Sequence, residues 1–277
     1  MNHSGGMSQS PTQSEAAMFA AAAGYERYMG RWSRLLAPEY IGFAGVKDGE
    51  RVLDVGTGIG SLALTLEGAL PSIRVVGVDP SESFIAHVKR NRSARASFEV
   101  GDAQALRFED ASFDHAMALL VLNFVPNHEK AVGEMRRVVR PGGAVSACVW
   151  DYDSGMQMLR VFWDEVVALD PAMAAKDERN MKLCRRGQLA ELWMGMGLVR
   201  VEEKAVAIDQ EFASFDDYWG PFLKGAGPGG AHVASLAQGE RGRLEARLRN
   251  RLLGNQDDGP ITLKARAWCV RGEVRGA

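Results

Sequence analysis

Several features that mark large classes of protein are scarce or missing in this chain. Its 277 residues include three cysteines and five histidines, and neither set has the spacing of a metal site. Lysine plus arginine number 33 and aspartate plus glutamate 35, so the net charge of −2 offers no electrostatic case for nucleic-acid binding. No stretch approaches the roughly 18 consecutive apolar residues that cross a membrane. The sequence therefore predicts no metal, no nucleic-acid partner and no membrane span.

The cysteines also bear on the cellular compartment. Cys148, Cys184 and Cys269 are odd in number and lie in segments typical of strands or helices, which favours reduced thiols. An apolar run at residues 16–23 lacks a basic segment before it and leads into a charged helix, which argues against a signal peptide. We therefore expect a cytoplasmic protein.

Composition also predicts the domain organisation. With 46% hydrophobic residues the chain can bury a large core, as one enlarged domain or one domain with a subsidiary lid. Residues 1–14 are rich in Ser, Gln, Gly and Pro, which predicts disorder. We expect cap helices over residues 15–45 and a main domain over 46–277, with insertions at about 151–185 and 209–258.

A glycine-rich loop is the strongest positive signal. Residues 52–60 read VLDVGTGIG, and residues 61–70 then carry apolar side chains at helical spacing, which indicates a buried strand, a tight turn and a helix. The third glycine comes one residue earlier than in the pyrophosphate-binding fingerprint GxGxxG. Asp54 stands two residues before the first glycine, where a carboxylate would repel a pyrophosphate and suit a cationic amine. The loop thus predicts a nucleotide-type cofactor that carries an amine.

A second carboxylate follows the next strand. Residues 74–78 read RVVGV and end at Asp79, nineteen residues after Gly60, where its oxygens can accept hydrogen bonds from two ribose hydroxyls. An amine together with a ribose points to S-adenosylmethionine. Asp54 and Asp79 could each merely cap a helix, and that alternative stays open for either one alone.

At this point the chain resembles the class I S-adenosylmethionine-dependent methyltransferases, over residues 52–143. The glycine loop is similar to the first motif of that family, and VGVDPS at 76–81 to its ribose-binding strand. GDAQ at 101–104 resembles the adenine-binding segment, FDHAMALL at 113–120 the fourth strand, and EMRRVVRPGG at 134–143 the helix and turn before the fifth.

The resemblance implies a set of cofactor-binding residues for S-adenosylmethionine, with S-adenosylhomocysteine as the product. Asp102 would take the adenine amino group, while a solvated turn is its alternative. The implied contacts are Asp54, Gly56, Thr57, Gly58, Gly60, Asp79, Pro80, Asp102, Ala103 and Leu119.

Three residues before the main domain extend this site. Tyr28, Arg31 and Trp32 are spaced to share one face of a helix. That face could simply dock on the core. Quinone-pathway C-methyltransferases carry a similar helix over the cofactor, and by that resemblance Arg31 would meet the methionine carboxylate while Tyr28 and Trp32 close the pocket.

The pattern of strands and helices predicts the fold class. From residue 51 to 150, apolar strands alternate with helical segments in about five βα units, which indicates a parallel sheet with helices on both faces. We expect the fifth strand at 144–150, after a turn at 141–143, then helices at 156–169 and 187–196 and strands near 199–208 and 260–270. The family resemblance makes this a doubly wound, Rossmann-like α/β fold with seven strands, the last antiparallel.

The two insertions leave the expected carboxyl ends of strands, where ligands bind in open parallel sheets. They should therefore cover the active site. Both are rich in aromatic residues, which form either the interior of a lid or the wall of a pocket for an apolar or aromatic acceptor.

We therefore predict a methyltransferase that acts on a small molecule by in-line displacement. Candidates for a base, if the acceptor must lose a proton, are His128, His232, Tyr152 and Asp151, and no catalytic residue is assigned.

Many relatives have a His or an aromatic residue where this chain has Asn123-Phe124. No tetrapeptide like Asn-Pro-Pro-Tyr, which would mark a DNA, RNA or protein methylase, follows the fourth strand. The alternatives are a catalytically silent S-adenosylmethionine-binding regulatory protein and another nucleotide-cofactor enzyme of doubly wound fold; the oligomeric state is not predicted.

Overall fold

The computed structural model describes residues 29–91, 93–225 and 227–276. The predictions for residues 1–14 and for Tyr28 lie outside the described residues. The helices are α1 (Arg31–Ala44), α2 (Ser61–Ala69), α3 (Glu82–Val88), α4 (His128–Val138), α5 (Gln157–Leu169), α6 (Gln188–Gly195), α7 (Phe215–Leu223), α8 (Gly227–Ser235) and α9 (Gln238–Leu253). The strands are β1 (Arg51–Val55), β2 (Arg74–Asp79), β3 (Ala96–Val100), β4 (Phe113–Leu119), β5 (Val139–Trp150), β6 (Val199–Phe212) and β7 (Ile261–Glu273).

The strands form one seven-stranded sheet in the order β3-β2-β1-β4-β5-β7-β6. Strands β1 to β5 pair in parallel, and β7 lies antiparallel between β5 and β6. The predicted fold class, a mostly parallel doubly wound sheet with an antiparallel last strand, is confirmed.

Two apolar cores cover the two faces of this sheet. The first contains Trp32 and Tyr40 of α1, Leu66 of α2 and Phe162 of α5. The second contains Met135 of α4 and Trp193 of α6. Because both faces of the sheet are covered, consecutive residues of β1, from residue 52 to 55, are buried, and all of them except Asp54 are apolar.

The structure corrects two details of the predicted βα pattern. Residues 101–112, all described, connect β3 to β4 without a helix, so the number of βα units is smaller than expected. Strand β5 begins at Val139 and not at residue 144, because the predicted turn is a register shift within the ladder to β4. Gly142 takes a φ of +76° there, which an L side chain adopts only with strain.

Strands β6 and β7 continue well past the rest of the sheet. Trp150, the last residue of β5, pairs with Ala267, and Ala267 pairs in turn with Val206. Strand β6 runs six residues further, to Phe212, beyond the predicted end near residue 208. The second insertion, residues 213–260, therefore leaves from a strand end that lies above the carboxyl edge of the parallel strands.

Candidate functional site

The glycine loop is fastened to the end of the neighbouring strand. The backbone N–H groups of Gly56 and Thr57 both donate to the carbonyl oxygen of Val78, at 2.8 and 2.9 Å. Gly56, Gly58 and Gly60 have φ values of +72°, +54° and +87°, in the left-handed region that favours glycine. The spacing of the glycines thus lets the chain turn sharply between β1 and α2.

The three glycines differ in what surrounds them. A Cβ atom on Gly56 would lie 2.4 Å from Cγ2 of Val121, and one on Gly60 would lie 2.5 Å from Cγ2 of Val88. A Cβ on Gly58 would meet no described atom within 4 Å. Gly56 and Gly60 therefore pack against the protein, whereas Gly58 borders open space in which a ligand can approach the backbone.

Asp54 lies at the carboxyl end of β1 and is 1% exposed. Its Oδ2 accepts hydrogen bonds from the Thr57 hydroxyl at 2.7 Å and from the Ala63 N–H at 3.2 Å. Its Oδ1 has no hydrogen-bond partner among the described residues. Burial raises the pKa of Asp54 to about 7, against the lowering effect of these two bonds. One oxygen of a buried carboxyl is thus left for a ligand.

Thr57, a predicted cofactor contact, makes hydrogen bonds within the protein. Its N–H donates to Val78 and its hydroxyl to Asp54, so both of its donors act within the protein. The residue is also buried. Thr57 therefore orients Asp54. Sequence reasoning could not show this, because the direction of the side chain depends on the positive φ angles that flank it.

Asp79 lies at the carboxyl end of β2, beside Asp54. Its Oδ1 accepts from the Ser81 N–H at 2.8 Å and its Oδ2 from the Gly58 N–H at 3.0 Å. Burial raises the pKa of Asp79, against the lowering effect of both bonds. Each oxygen keeps one lone pair for a further donor. Pro80 follows and is exposed.

The remaining predicted contacts lie at the ends of β3 and β4. Asp102 is exposed, and its Oδ1 accepts the Gln104 N–H at 2.8 Å, so it also stabilises a turn, as the alternative interpretation held. Ala103 is buried, and Leu119 ends β4 with 9% exposure. Parallel strands therefore bring Asp54, Asp79, Asp102 and Leu119 to one edge of the sheet.

Arg31 and Trp32 of the cap helix α1 both contact the second half of the chain. Nη1 of Arg31 donates to both carboxylate oxygens of Asp217 in α7, at 3.0 Å each, and the guanidinium stacks 4.2 Å from the Trp32 ring centroid. Trp32 is 2% exposed, and its ring packs edge-on against Phe212 at 5.2 Å. Both predicted cofactor contacts are therefore engaged within the protein, although Nε of Arg31 has no partner among the described residues.

The candidate bases differ in their availability. Asp151 is excluded as a free base because it is buried and its Oδ2 accepts from Nε of Arg266 at 2.8 Å. His232 lines a separate cavity of about 160 Å³ between α5, α8 and α9. Tyr152 is buried in the first core.

His128 begins α4, and its Nδ1 lies 3.0 Å from the Leu122 carbonyl oxygen. A carbonyl only accepts, so Nδ1 carries the hydrogen and Nε2 of the neutral ring is left as an acceptor. Among the four candidates, His128 best keeps the geometry of a base.

Two classes of site are not found in the described part of the chain. Within residues 29–91, 93–225 and 227–276, no group of three or more His, Cys, Asp or Glu side chains is arranged to hold a metal ion. Over the same residues, no helix is both long and apolar enough to cross a membrane.

Residues 53–147 match the family model described as a methyltransferase domain. The chain is 37% identical over 116 residues to demethylmenaquinone methyltransferase of Thermus thermophilus, covering 41% of this chain and 51% of that protein. It is 35% identical over 121 residues to sterol 24-C-methyltransferase erg6 of Schizosaccharomyces pombe, covering 40% and 32%. The matched part of the chain thus spans about half of the first relative and about a third of the second. The resemblance to class I methyltransferases is confirmed for this domain.

Solved structures share the fold over much more of the chain. Phosphoethanolamine N-methyltransferase 2 of Haemonchus contortus, in complex with phosphomonomethylethanolamine and S-adenosylhomocysteine, aligns with a TM-score of 0.55 and 20% identity, covering 95% of this chain and 58% of that one. The [4+2]-cyclase SpnF aligns with a TM-score of 0.54 and 19% identity, covering 88% and 81%. At these identities the likeness shows the fold, and the reaction has to be argued from the site.

Proposed function

We propose that this chain, which carries a methyltransferase domain, transfers a methyl group from S-adenosylmethionine to a small apolar or aromatic molecule. The observation that carries the proposal is the buried pair of carboxyl groups on adjacent strand ends, joined by the glycine loop. Gly58 donates its N–H to Asp79, and Thr57, the residue before it, donates its hydroxyl to Asp54. One short loop therefore positions both acids.

The residues present fit S-adenosylmethionine. The unpartnered Oδ1 of Asp54 suits the ammonium of the methionine part, because a buried acceptor without a donor favours a ligand that supplies one. The remaining lone pairs of Asp79 suit two ribose hydroxyls. The open space at Gly58 lets the ligand approach the backbone.

When bound, the cofactor supplies a methyl group made electrophilic by its sulfonium. The chain then mainly has to hold the acceptor in line with the methyl-sulfur bond and keep water out, and such orientation is worth about 7 to 11 kcal/mol of the barrier. Asp54 would hold the ammonium of the methionine part and Asp79 the two ribose hydroxyls. His128, with Nε2 as an acceptor, would take the proton of an acceptor that has one to lose.

Exposed apolar residues at the same edge support an apolar or aromatic acceptor. Phe124, in the turn after β4, is 55% exposed, and Val100, at the end of β3, is 45% exposed. By contrast, Phe162, Trp163 and Phe222 are buried against one another in the insertions. Most of the aromatic residues there form the interior of the lid, as one of the two interpretations predicted.

A methyl-transfer assay tests the proposal. The protein is incubated with S-adenosylmethionine and pooled small aromatic and aliphatic acceptors, and S-adenosylhomocysteine and products heavier by one methyl are measured by mass spectrometry. We expect product from the wild type and none above background from Asp79→Ala, with Asp257→Ala, an exposed loop residue, as the matched control. Cofactor binding without transfer to any acceptor would favour the silent binding protein.

A further inference from the structure

The corner between α1 and the extended end of β6 contains buried polar atoms without partners. Gln210 is fully buried, and among the described residues neither its Oε1 nor its Nε2 makes a hydrogen bond. The same holds for Nε1 of Trp32 and Nε of Arg31. Roughly 90% or more of buried polar groups in proteins are paired, so this group of atoms requires an explanation.

Register places Gln210 beyond the carboxyl end of β5, in the direction in which Asp54 and Asp79 end their own strands. Val206 lies level with Trp150, the last residue of β5, because both pair with Ala267. Gln210 is four residues further along β6, which is about 13 Å at the usual rise of a strand. Because side chains alternate along a strand, Gln210 shares a face with Phe212. The Phe212 ring packs on Trp32 at 5.2 Å and lies 4.9 Å from the Arg31 guanidinium.

We propose that Gln210, Trp32 and Arg31 form the acceptor-binding subsite and recognise an aromatic molecule that bears a hydroxyl group, such as a phenol. The proposal rests on the function proposed above. The unpartnered donors are Nε2 of Gln210, Nε1 of Trp32 and Nε of Arg31, and the unpartnered acceptor is Oε1 of Gln210. A phenolic oxygen can accept from Nε1 of Trp32 or Nε of Arg31 while its hydrogen goes to Oε1 of Gln210.

Charge and surroundings favour a neutral ring over an anion. The charge of Arg31 is already matched by Asp217 at 3.0 Å, so a carboxylate ligand would bring an unmatched charge into a buried site. The rings of Trp32, Phe212 and Tyr218 pack on one another beside Arg31, with centroids 5.2 and 5.4 Å apart, so a ligand that enters there meets aromatic surfaces. Edge-to-face contacts of this kind add to the burial of an aromatic ligand.

We expect a ligand to enter where α1 meets α7. The Arg31–Asp217 pair joins these two helices, and its side chains are 28% and 35% exposed, whereas Trp32 and Gln210 are buried. A partly exposed pair of this kind holds two elements together only weakly. With α1 and α7 in contact, the buried polar atoms of Gln210, Trp32 and Arg31 have no partners among the described residues. A ligand that pairs with these atoms therefore favours the separation of the two helices.

Nuclear magnetic resonance of protein labelled with ¹⁵N-tryptophan tests the proposal, because each indole N–H gives one signal and Trp32→Phe identifies that of Trp32. The probe is p-cresol, and toluene is the matched ring without a hydroxyl. We expect p-cresol to move the Trp32 signal downfield in a saturable manner and toluene to bind at least tenfold more weakly. If p-cresol causes no saturable shift of the Trp32 signal, the proposal is wrong. Ordered water is then the partner of the buried polar atoms.

Variants of Gln210 separate recognition from a structural role. Gln210→Met, with Gln210→Leu as a second variant, should weaken p-cresol binding about tenfold and leave the Tm unchanged or higher, because two unpaired polar atoms are removed. Gln157→Leu, which removes an exposed amide bonded to the Lys264 N–H, should leave p-cresol binding unchanged. Unchanged p-cresol affinity in both Gln210 variants would contradict the proposal. S-adenosylhomocysteine binding is measured in parallel, and its absence in the wild type would count against the proposed function instead.

Discussion

Thr57 donates its hydroxyl hydrogen to Oδ2 of Asp54 over 2.7 Å, at the point where β1 meets the glycine loop. This bond and the Ala63 N–H oppose the effect of burial, which raises the pKa of Asp54 to about 7. The carboxyl therefore changes its charge near neutral pH. Two consequences follow, one for ligand binding and one for stability.

The first consequence is that binding of the cofactor ammonium depends on pH. Ionised Asp54 attracts the ammonium and protonated Asp54 does not, so affinity for S-adenosylhomocysteine should fall as pH drops from 8 to 6, approaching about tenfold per pH unit below the pKa. Thr57→Val removes a bond to the carboxylate and should move this fall to higher pH. Calorimetric titration at several pH values measures it. Wild-type affinity that stays constant between pH 6 and 8 would show that Asp54 does not meet the ammonium.

The second consequence concerns the free protein. The folded-state pKa of Asp54, about 7, lies above its ordinary value of 3.8, so protonation favours the folded state. The stabilisation that protonation of Asp54 gives the folded state is fully present below pH 4 and is lost as pH rises through 7. Asp54→Asn should therefore raise the free energy of unfolding, relative to wild type, more at pH 8 than at pH 5. Urea unfolding at the two pH values measures the difference in free energy of unfolding between the variant and the wild type. An equal difference at both pH values would contradict a raised folded-state pKa for Asp54.

Alanine at two of the loop glycines should separate ligand binding from folding. Both positions have positive φ, which costs an alanine about 1 to 2 kcal/mol. At Gly60 the added methyl also collides with Val88, for about 1 to 3 kcal/mol more, whereas at Gly58 it enters open space. Gly60→Ala should mainly lose stability in thermal unfolding, and Gly58→Ala should mainly lose S-adenosylhomocysteine affinity, at least tenfold. The reverse pattern would mean that the ligand lies elsewhere.

A buried ion pair tests whether the first insertion is an integral part of the fold. Arg160 of α5 donates to Asp177 with Nη1 at 3.1 Å from Oδ2, and both side chains are nearly buried. Asp177→Ala leaves the guanidinium of Arg160 without its carboxylate partner. The free energy of unfolding, measured in urea, should fall by about 3 to 5 kcal/mol. Asp153→Ala breaks the exposed pair with Arg185 and should cost at most about 1 kcal/mol. Equal costs would mean that the insertion unfolds separately from the core.

The parts of this account that depend on local chemistry could be predicted from the sequence. Asp54 and Asp79 are recognisable because each ends an apolar strand, and the spacing of the three glycines requires a turn between them. The alternation of strands and helices predicted a mostly parallel sheet, whereas the number of βα units is smaller than expected because a loop connects β3 to β4.

Contacts between distant residues could not be predicted in this way. Asp217 lies 186 residues from Arg31, and no local pattern indicates that the two will meet. Gln210 falls just past the predicted end of the sixth strand, so neither its burial nor its lack of partners could be foreseen. Asp217 belongs to the second insertion, Gln210 to the end of β6 and Arg31 to the cap helix, and the contacts among these elements depend on how the whole chain folds.

The glycine loop between β1 and α2, together with Asp54 and Asp79, is proposed to bind S-adenosylmethionine. Isothermal titration of the wild type with S-adenosylmethionine and S-adenosylhomocysteine tests this proposal most directly, alongside Asp79→Ala and the exposed-loop control Asp257→Ala. We expect both ligands to bind saturably to the wild type and to the control. Their binding should be lost or greatly weakened in Asp79→Ala. Folded wild-type protein that binds neither ligand, or an Asp79→Ala variant that binds them as the wild type does, would contradict this proposal.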